Sequence, residues 1–544
     1  MTCASDRIAT FGDVFDDTLT QTISSARGHT IGDLLRRSAR RHPERTALVF
    51  GDRSWTYAEL DEAVNRVANS LTARGVVRGD RVAILSHNHD AFVIAYFALA
   101  RLGTVSVPVN FMLIASEVAY VLDHSGATAV VVEDALSATM DDAIGQADGG
   151  GSVALRISIP TVADVATSDG WIAFDELLAH DDATEPDVHV GDDDPVQLMY
   201  TSGTESRPKG AIMTNRALIA QYVSCIVDGG MSSDDVEIHS LPLYHCAQLH
   251  CFITPGIYLG AKNIVLAAPD PAVILETVEA ERVTKLFCPP TVWISLLRHP
   301  DFDSRDLSSL RLGYYGASIM PVEILRELLE RLPDMALYNF YGQTEMAPLA
   351  TLLGPQDQVR KAGSAGRASL NVETRIVDDD DREVPPGTVG EIVHRSPHAT
   401  PGYWNDPDTT AEAFRNGWFH SGDLGVVDDE GYLTVVDRKK DMIKTGGENV
   451  ASREVEEALY RHPSVQEVAV FGIPDDKWIE AVTATVVVKP GAALTPDELI
   501  GFARGELAGY KAPKHVVIVD ELPKNASGKV LKRELRDRIA STTG

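Results

Sequence analysis

The chain has 544 residues, of which 44% are hydrophobic and 24% charged, and this balance is typical of a soluble globular protein. A single hydrophobic core does not extend over that length, so we expect at least two domains. The 79 acidic and 49 basic residues give a formal net charge of -30, which argues against nonspecific nucleic-acid binding and against attachment to anionic membranes.

The sequence has neither a signal-peptide pattern at its N-terminus nor an apolar run of about eighteen residues. We therefore expect no membrane span and a cytoplasmic location. The five cysteines are an odd number spread thinly over the chain, which is consistent with reduced thiols. His245, Cys246, His250 and Cys251 are metal-ligand residue types, but they lack CxxC or HExxH spacing, so we do not predict a zinc site.

Alternating helix and strand patterns dominate the N-terminal part of the chain. Amphipathic periodicity predicts helices over 31–43 and 57–75, with the strand TALVF at 46–50 between them. RVAILS and SVPVN indicate buried strands on either side of the apolar helix AFVIAYFALARLG. The alternation resumes through NIVLAAP, KLFCPP, LRLGYYG and ALYNFYG. This pattern predicts parallel sheets covered by helices.

Two regions depart from that alternation. Residues 133–194 contain GGG and the acidic runs DDATEPD and GDDDP, so we interpret them as a surface excursion leading into a new core unit. After Gly387 the sequence becomes strand-rich, and beyond DRKKDMIKTGGENV a small α/β unit of about a hundred residues follows. The predicted fold is therefore α/β: a large N-terminal body of parallel-sheet subdomains plus a β-subdomain, with a small C-terminal α+β domain.

The segment TSGTESRPKG at 201–210 combines hydroxyl groups, glycine backbone amides and two cations. Amides and hydroxyls coordinate phosphate oxygens while Lys or Arg offsets their charge, so this inventory predicts a polyphosphate-binding loop. It matches neither GxxxxGK[ST] nor GxGxxG, and an ordinary Ser/Thr/Gly turn is the alternative if the loop is taken alone.

Six further segments follow this loop along the chain. With it they resemble the adenylate-forming superfamily and, within it, the acyl-CoA synthetases. Each segment alone is weak evidence, whereas seven in order are strong, and the resemblance runs from about residue 30 to 535. In chain order the segments are YTSGTESRPKG, LPLYH, YYGAS, NFYGQTE, WFHSGDLG, DRKKDMIKTGGENV and PKNASGKVLK.

The resemblance implies a domain division and an activity. It predicts an N-terminal adenylation domain at 1–437, a hinge at 438–441 that includes Lys440, and a mobile C-terminal domain at 442–544. In the implied activity a carboxylate attacks the α-phosphate of ATP to give an acyl-AMP, and the acyl group then passes to the CoA thiol. ATP, Mg²⁺ and CoA are the implied ligands.

Positions that match the family's motifs carry its nucleotide-binding roles as expectations. Thr344 would contact the α-phosphate and Glu345 would bind Mg²⁺, as a hard oxygen ligand does. The loop residues that would hold the β- and γ-phosphates are Thr201, Ser202, Gly203, Thr204 and Lys209. The residues that would flank the adenine are Gly316, Ala317, Ser318 and Tyr341, and those that would bind the ribose hydroxyls are Asp423 and Arg438.

The remaining matches concern the carboxylate and the thioester. Lys529 in NASGK matches the lysine that bridges the substrate carboxylate and the α-phosphate, and His245 matches an active-site histidine beside the acyl pocket. The segment that would swing in to line the pantetheine channel contains Lys444, Gly446 and Gly447. Taken singly, each matching residue could instead have a purely structural role, as a turn residue, a solvated lysine or a core histidine.

Two positions depart from the family pattern. Glu205 and Ser206 replace the usual flexible Thr-Gly pair of the phosphate loop. We expect Glu205 to point outward and to pair with Arg207 or another cation; the alternative is that it marks a distinct subgroup. Ile479 occupies a position where the family commonly has glycine, and we expect it to alter packing only.

The acyl pocket is expected to be apolar and free of the Lys or Arg that would mark a dicarboxylate site. Such a pocket suits a fatty or aromatic carboxylate, and the alternative is that several of the residues are plain core. The predicted lining residues are Cys246, Leu249, Phe287, Trp293 and Met346.

Three functions are open from sequence. The first is an AMP-forming acyl-CoA ligase with a small-molecule acid, ATP and CoA as partners. The second is a diazotase-like enzyme that activates nitrite with ATP for reaction with an aromatic amine. The third is a noncatalytic nucleotide-binding sensor, which is disfavoured because binding ATP alone would not require Lys529. The oligomeric state stays open, with a homodimer as one alternative.

Overall fold

The computed structural model describes residues 17–148, 153–161, 169–201, 208–318, 320–439, 441–445, 448–475, 478–524 and 530–543. In these residues the chain forms two large sheets in its N-terminal part, a smaller antiparallel sheet after residue 372, and a further sheet in its C-terminal part. The predicted α/β class is confirmed.

The strands in chain order are β1 (Thr46–Phe50), β2 (Arg53–Thr56), β3 (Arg81–Leu85), β4 (Val105–Val109), β5 (Ala129–Glu133), β6 (Leu155–Ile159), β7 (Ile172–Ala173), β8 (Pro195–Thr201), β9 (Lys209–Thr214), β10 (Val236–His239), β11 (Lys262–Val265), β12 (Lys285–Phe287), β13 (Leu312–Gly316), β14 (Ala336–Gly342), β15 (Leu349–Leu353), β16 (Arg367–Ala368), β17 (Glu373–Val377), β18 (Gly390–Arg395), β19 (Phe414–Arg415), β20 (Trp418–Val427), β21 (Leu433–Arg438), β22 (Ile443–Thr445), β23 (Glu448–Val450), β24 (Val465–Asp475), β25 (Ile479–Val488) and β26 (His515–Val519).

The α-helices are α1 (Asp17–Ala26), α2 (Ile31–Arg41), α3 (Tyr57–Ala73), α4 (Asp90–Arg101), α5 (Ala115–Ser125), α6 (Ser137–Gln146), α7 (Phe174–Leu178), α8 (Asn215–Gly229), α9 (Cys246–Gln248), α10 (Thr254–Leu259), α11 (Pro271–Glu281), α12 (Pro290–Arg298), α13 (Val322–Arg331), α14 (Pro407–Ala413), α15 (Ser452–Tyr460), α16 (Pro496–Glu506) and α17 (Lys532–Thr543). A π-helical turn, Leu249–Ile253, joins α9 to α10. Of the helices described, none combines the length and apolar composition that a bilayer crossing requires.

The two large sheets are predominantly parallel. The first has nine strands in the order β16-β15-β14-β13-β12-β10-β11-β1-β2, and the second has seven in the order β7-β6-β5-β3-β4-β8-β9. Their antiparallel pairs lie toward the edges: β1 with β2, β15 with β14 and β16, and β8 with β9. Because β13 and β14 run in parallel, their carboxyl ends meet at one edge, where ligands bind in open α/β sheets.

The helix α4 is the centre of the largest hydrophobic cluster. All twelve of its residues are buried, as expected for a helix that is apolar around its whole circumference. The cluster draws residues from strands of both large sheets, including Leu48 of β1 and Ile84 of β3. The two sheets therefore share one core, with helices packed between them.

The smaller sheets carry the β-subdomain and the C-terminal domain. The β-subdomain has the order β17-β18-β20-β19, with β21 paired to β20, and the C-terminal sheet has the order β23-β22-β25-β24, with β26 paired to β25. The two units touch where the Ser452 N–H donates to Asp437 Oδ2 at 2.6 Å. The predicted domain boundaries near residues 437 and 442 remain a prediction.

The structure corrects the interpretation of residues 133–194 as a surface excursion. The strands β6 and β7 extend the second sheet from β5 by parallel pairing. Phe174 and Leu177 of α7 are buried in the main core cluster. The Gly and Asp runs obscured two short strands, because local composition indicates turns and does not indicate a strand's pairing partners.

His250 on the π-helical turn generates a prediction about acid stability. It is fully buried between Tyr222, whose hydroxyl lies 2.8 Å from Nδ1, and Gln197, whose Oε1 accepts from Nε2 at 2.6 Å. Burial lowers its pKa from 6.5 to about 3, so between these values the unfolded chain binds the proton that the folded chain does not. This group's contribution to stability is therefore present above pH 6.5 and declines as the pH falls towards 3.

His250→Gln is expected to flatten the pH dependence of the free energy of unfolding between pH 6.5 and 4, by about 2 kcal/mol at pH 5. Denaturant unfolding at a series of pH values measures this slope. The exposed His515 provides the matched control, and His515→Gln should leave the slope unchanged. An unaltered slope in His250→Gln would contradict the assignment of a neutral buried imidazole.

Candidate active site

The edge formed by β13 and β14 holds the residues predicted to flank an adenine. Gly316 ends β13 beside Phe340 of β14, and a Cβ at Gly316 would lie 2.4 Å from the Phe340 carbonyl oxygen, so glycine is required there. Ala317 follows with φ +62°, which turns the chain out of the strand. Tyr341 leaves the neighbouring strand at the same edge, so the structure brings these predicted residues together.

Tyr341 also contacts the two residues predicted to bind ribose. Its hydroxyl donates to Asp423 Oδ2 at 2.7 Å, and Arg438 Nε lies 3.6 Å from Asp423 Oδ1. Asp423 and Arg438 are direct cross-strand partners in β20 and β21. Burial and the Asp423 carboxylate raise the pKa of Tyr341 well above its ordinary value, so the phenol remains a hydrogen-bond donor.

The base of the predicted phosphate loop is a β-hairpin. Thr201 and Lys209 pair across β8 and β9, and they hold the two ends of the loop together. The Lys209 ammonium lies 5.5 Å from the centroid of the Tyr403 ring, and the Tyr403 hydroxyl donates to Glu345 Oε1 at 2.8 Å. Tyr403 therefore contacts both Lys209, the cation at the base of the loop, and Glu345, the predicted metal ligand.

Thr344 and Glu345 begin a short 3-10 turn after β14. The Thr344 hydroxyl lies 3.3 Å from the Cys246 sulfur. Burial raises the pKa of the Cys246 thiol to about 12, so at neutral pH it is protonated and serves as packing rather than as a nucleophile.

A small, partly open cavity with a volume of about 10 Å³ lies beside His245. Among the residues that the structure describes, the lining contains no Lys, Arg, Asp or Glu. His245 caps the N-terminus of α9, because its Nδ1 accepts a hydrogen bond from the Ala247 N–H at 3.2 Å. This bond fixes the orientation of the imidazole ring. The lining residues are Leu241, Pro242, His245, Ala247, Gln248, Phe287, Pro289 and Ala317.

A stack of aromatic rings forms one wall of this cavity. The Phe287 ring stacks on Phe252 with centroids 4.3 Å apart, and Phe252 stacks on Phe340 at 5.8 Å. Phe252 lies on the π-helical turn, a feature frequent at functional sites. The stack limits how far the cavity can extend behind Phe287.

Beneath the cavity lies a buried polar network. The Gln248 amide donates to His239 Nδ1 at 2.7 Å, and His239 Nε2 donates to Asn263 Oδ1 at 3.0 Å. Burial lowers the pKa of His239 to about 3, so this imidazole is neutral. Lys285 Nζ lies 2.9 Å from Glu237, and both side chains are fully buried. The network holds Gln248 in place at the edge of the cavity.

The structure places four of the five predicted pocket residues elsewhere. Cys246 and Leu249 belong to the main core cluster, Trp293 to a second cluster and Met346 to a third. Trp293 donates its indole N–H to the Tyr314 carbonyl at 3.0 Å, which is the behaviour of a structural residue. Of the predicted set, Phe287 lines this cavity, and an acyl-binding role for the other four stays a prediction.

Several predicted residues lie apart from this site or outside the described residues. Lys444 is exposed on β22 of the C-terminal sheet, and its backbone N–H donates to Glu480 at 2.6 Å. Ile479 has φ +72°, an unusual conformation for a β-branched residue, next to that contact. The predicted residues outside the described part of the chain are Ser202, Gly203, Thr204, Glu205, Lys440, Gly446, Gly447 and Lys529.

Tyr403 is the residue of this arrangement that sequence analysis missed. It lies in PGYWND, and its only signal is an aromatic residue after a glycine in a loop. Its contacts to Lys209 and Glu345 join parts of the chain that are far apart in sequence, which no local pattern indicates.

The described residues contain no group of three or more His, Cys, Asp or Glu side chains that could form a metal site by themselves. Glu345 and Thr344 nevertheless offer a carboxylate and a hydroxyl, the oxygen donors that Mg²⁺ prefers. Mg²⁺ commonly takes one or two carboxylates and completes its coordination with phosphate oxygens and waters. The donor set fits an ion that arrives with a nucleotide.

The chain belongs to the AMP-binding enzyme family. Residues 35–404 match the family model for the AMP-binding enzyme, and residues 454–529 match the model for the AMP-binding enzyme C-terminal domain. The predicted membership of the adenylate-forming superfamily is therefore confirmed.

Relatives of known activity match over nearly the full chain. A feruloyl-CoA synthase from an Amycolatopsis species is 41% identical over 516 residues, which cover 94% of this chain and 100% of that protein. The long-chain-fatty-acid–CoA ligase FadD13 of Mycobacterium tuberculosis is 36% identical over 518 residues, covering 94% and 99%. The solved structure of the anthranilate CoA ligase AuaEII with anthranoyl-AMP has a TM-score of 0.87 at 26% identity, covering 96% and 99%.

Phe287→Ala is expected to enlarge the cavity towards Phe252 and to shift acid preference toward bulkier acids by about tenfold in relative kcat/KM. AMP formation with alkanoic acids of increasing length and with substituted benzoic acids measures that preference. Phe174, buried in the core away from the cavity, provides the control, since Phe174→Ala should lower stability without changing preference. An unchanged preference in Phe287→Ala would show that Phe287 does not limit the acyl group.

Proposed function

We propose that this protein is an AMP-forming acyl-CoA ligase that activates a fatty or aromatic carboxylate with ATP and transfers the acyl group to CoA. The observation that carries the proposal is the convergence of two sets of residues around one sheet edge. Tyr341, Asp423 and Arg438 contact one another where the nucleotide would bind, and a cavity whose described lining residues are uncharged begins beside His245 and Ala317.

The chemistry explains why both sets are needed. A carboxylate is a poor electrophile until one oxygen becomes part of a good leaving group. In the first step a substrate carboxylate oxygen bonds to the α-phosphorus of ATP and pyrophosphate leaves. In the second step the CoA sulfur bonds to the acyl carbon, the thiol proton is lost and AMP leaves. Two anions must approach each other in the first step, so oriented cations and donors lower its barrier.

The residues have distinct roles in this proposal. Asp423 accepts hydrogen bonds from the ribose hydroxyls, and Tyr341 packs against the adenine. Lys209 neutralises phosphate charge as pyrophosphate forms. Glu345, with Thr344 beside it, holds Mg²⁺, which when bound neutralises negative charge on the triphosphate.

The C-terminal domain supplies two further groups in this proposal. Lys529 bridges the substrate carboxylate and the α-phosphate during adenylation, and Lys444, Gly446 and Gly447 line the path of the pantetheine during thioester formation. Lys440 is the hinge between the two arrangements. Lys529 is the last residue of the match to the C-terminal family model, which supports its role, whereas the roles of the other residues rest on their resemblance to the family's motifs.

The acyl group enters beside His245, where Phe287 forms one wall of the small cavity. The activities named for the relatives, on ferulate and on long-chain fatty acids, support an aromatic or fatty acid and do not choose between them. A short dicarboxylate is disfavoured because none of the described residues that line the cavity is a Lys or Arg that could pair with a second carboxylate.

The test is pyrophosphate exchange and AMP release against a panel of fatty and aromatic acids, with and without CoA. Acid-dependent exchange without CoA and an acyl thioester with CoA are expected. Lys529→Ala should abolish the exchange, whereas Lys444→Ala should retain the exchange and lose the thioester. Lys489, exposed on the same domain, provides the control, and Lys489→Ala should do neither.

The same assay includes nitrite with an aromatic amine. AMP release with nitrite alone, and no thioester from any acid, would overturn the ligase proposal in favour of diazotisation.

A further inference from the structure

The Tyr403 side chain contacts both Lys209 and Glu345. Its ring lies under the Lys209 ammonium, 5.5 Å from the centroid, and its hydroxyl donates to Glu345 Oε1 at 2.8 Å. The ring face attracts the cation and the hydroxyl binds the anion. Tyr403 therefore sets the spacing between two groups of opposite charge at the base of the phosphate loop.

The backbone around Tyr403 is fastened to both of these groups. Tyr403 forms an antiparallel bridge with Ala211, and the Trp404 N–H donates to the Gly210 carbonyl at 2.8 Å, so this segment runs beside the start of β9. On the other side, the Thr400 N–H donates to the Glu345 carbonyl at 2.8 Å. These bonds leave the Tyr403 side chain little freedom relative to either partner.

The orientation of Glu345 has an electrostatic consequence. A carboxylate next to a polyphosphate repels it unless a divalent cation lies between them. Tyr403 donates to Oε1, and none of the hydrogen bonds within the described residues uses Oε2, so the bond orients the carboxylate and leaves Oε2 for a further ligand. An orienting partner of this kind typically changes metal affinity tenfold or more, about 10- to 100-fold.

We propose that Tyr403 is a positioning residue that orients Glu345 toward the divalent cation of a metal–nucleoside triphosphate complex and docks Lys209 beside it. The inference rests on the proposed function for the nucleotide and the ion, but it does not depend on the identity of the acid or on CoA. If Tyr403 has this role, its substitution changes the factor by which Mg²⁺ increases the affinity for ATP. The affinity for ATP without Mg²⁺ changes much less.

The chain contains a matched control for this arrangement. The Tyr432 hydroxyl donates to Asp357 Oδ2 at 2.6 Å, and the Lys361 ammonium lies 4.7 Å from the Tyr432 ring centroid. The same three kinds of group therefore occur at a second place, among residues that carry no predicted nucleotide role. Tyr432→Phe removes the same hydroxyl as Tyr403→Phe.

The experiment is calorimetric titration of the full-length protein with ATP, once in EDTA and once in excess Mg²⁺. The ratio of the two dissociation constants is the metal enhancement. Tyr403→Phe should reduce this enhancement by about tenfold while leaving metal-free binding nearly unchanged. Tyr403→Leu should also weaken metal-free binding, by about threefold, because Lys209 loses the ring. Tyr432→Phe should stay within about twofold of the wild type.

A double variant tests whether Tyr403 acts through Glu345. If it does, Tyr403→Phe with Glu345→Gln should show no smaller enhancement than Glu345→Gln alone. Additive losses, or a wild-type enhancement in Tyr403→Phe, would overturn the proposal. Thermal unfolding of each variant shows whether it is folded, and a variant that fails to fold is replaced by Tyr403→His, which keeps a donor and should retain part of the enhancement. Because no acid is added, a failure of acid activation leaves this test intact.

Discussion

The hydrogen bond from Tyr341 to Asp423 is the contact on which the candidate site depends. It joins the end of a strand in the nine-stranded sheet to the β-subdomain, 82 residues later in the chain, at 2.7 Å. A neutral phenol donating to a carboxylate is a charge-assisted bond, and such bonds contribute about 1.5–3 kcal/mol. The bridge between Gly366 and Leu433 joins the same two parts of the chain, so the Tyr341 bond adds a local contact between the predicted adenine-facing turn and the predicted ribose-binding pair.

The site also resolves a conflict between the whole protein and its proposed ligands. A chain with a formal charge of -30 repels nucleotides at long range, so binding must come from groups held at short range. Lys209 and Arg438 are held in this way, each beside an aromatic or acidic partner that limits its motion. An acyl group requires the opposite environment, and the cavity beside His245 offers it through Phe287, which is backed by the Phe252 ring, and through neutral polar groups.

Sequence analysis predicted the α/β class because its signals are local, and it placed Tyr341, Glu345 and Asp423 in motifs whose order along the chain is distinctive. The structure brings Tyr341 and Asp423 into contact, whereas their roles toward a nucleotide stay a prediction. The acyl cavity could not be predicted in the same way, because Trp293 and Phe287 are both buried aromatics and only packing decides which one faces a cavity. β6, β7 and Tyr403 were missed since their partners lie on distant segments.

The turn at Ala317 has a consequence for how such an enzyme can change its substrate. Most of the residues that line the cavity come from 241–289, whereas the predicted phosphate and ribose groups come from other stretches of the chain. The two sets can therefore vary independently, except at Ala317, which lines the cavity and also belongs to the adenine-facing turn. Its left-handed backbone favours a small residue, so the boundary between acid and nucleotide is the least adaptable part of the pocket.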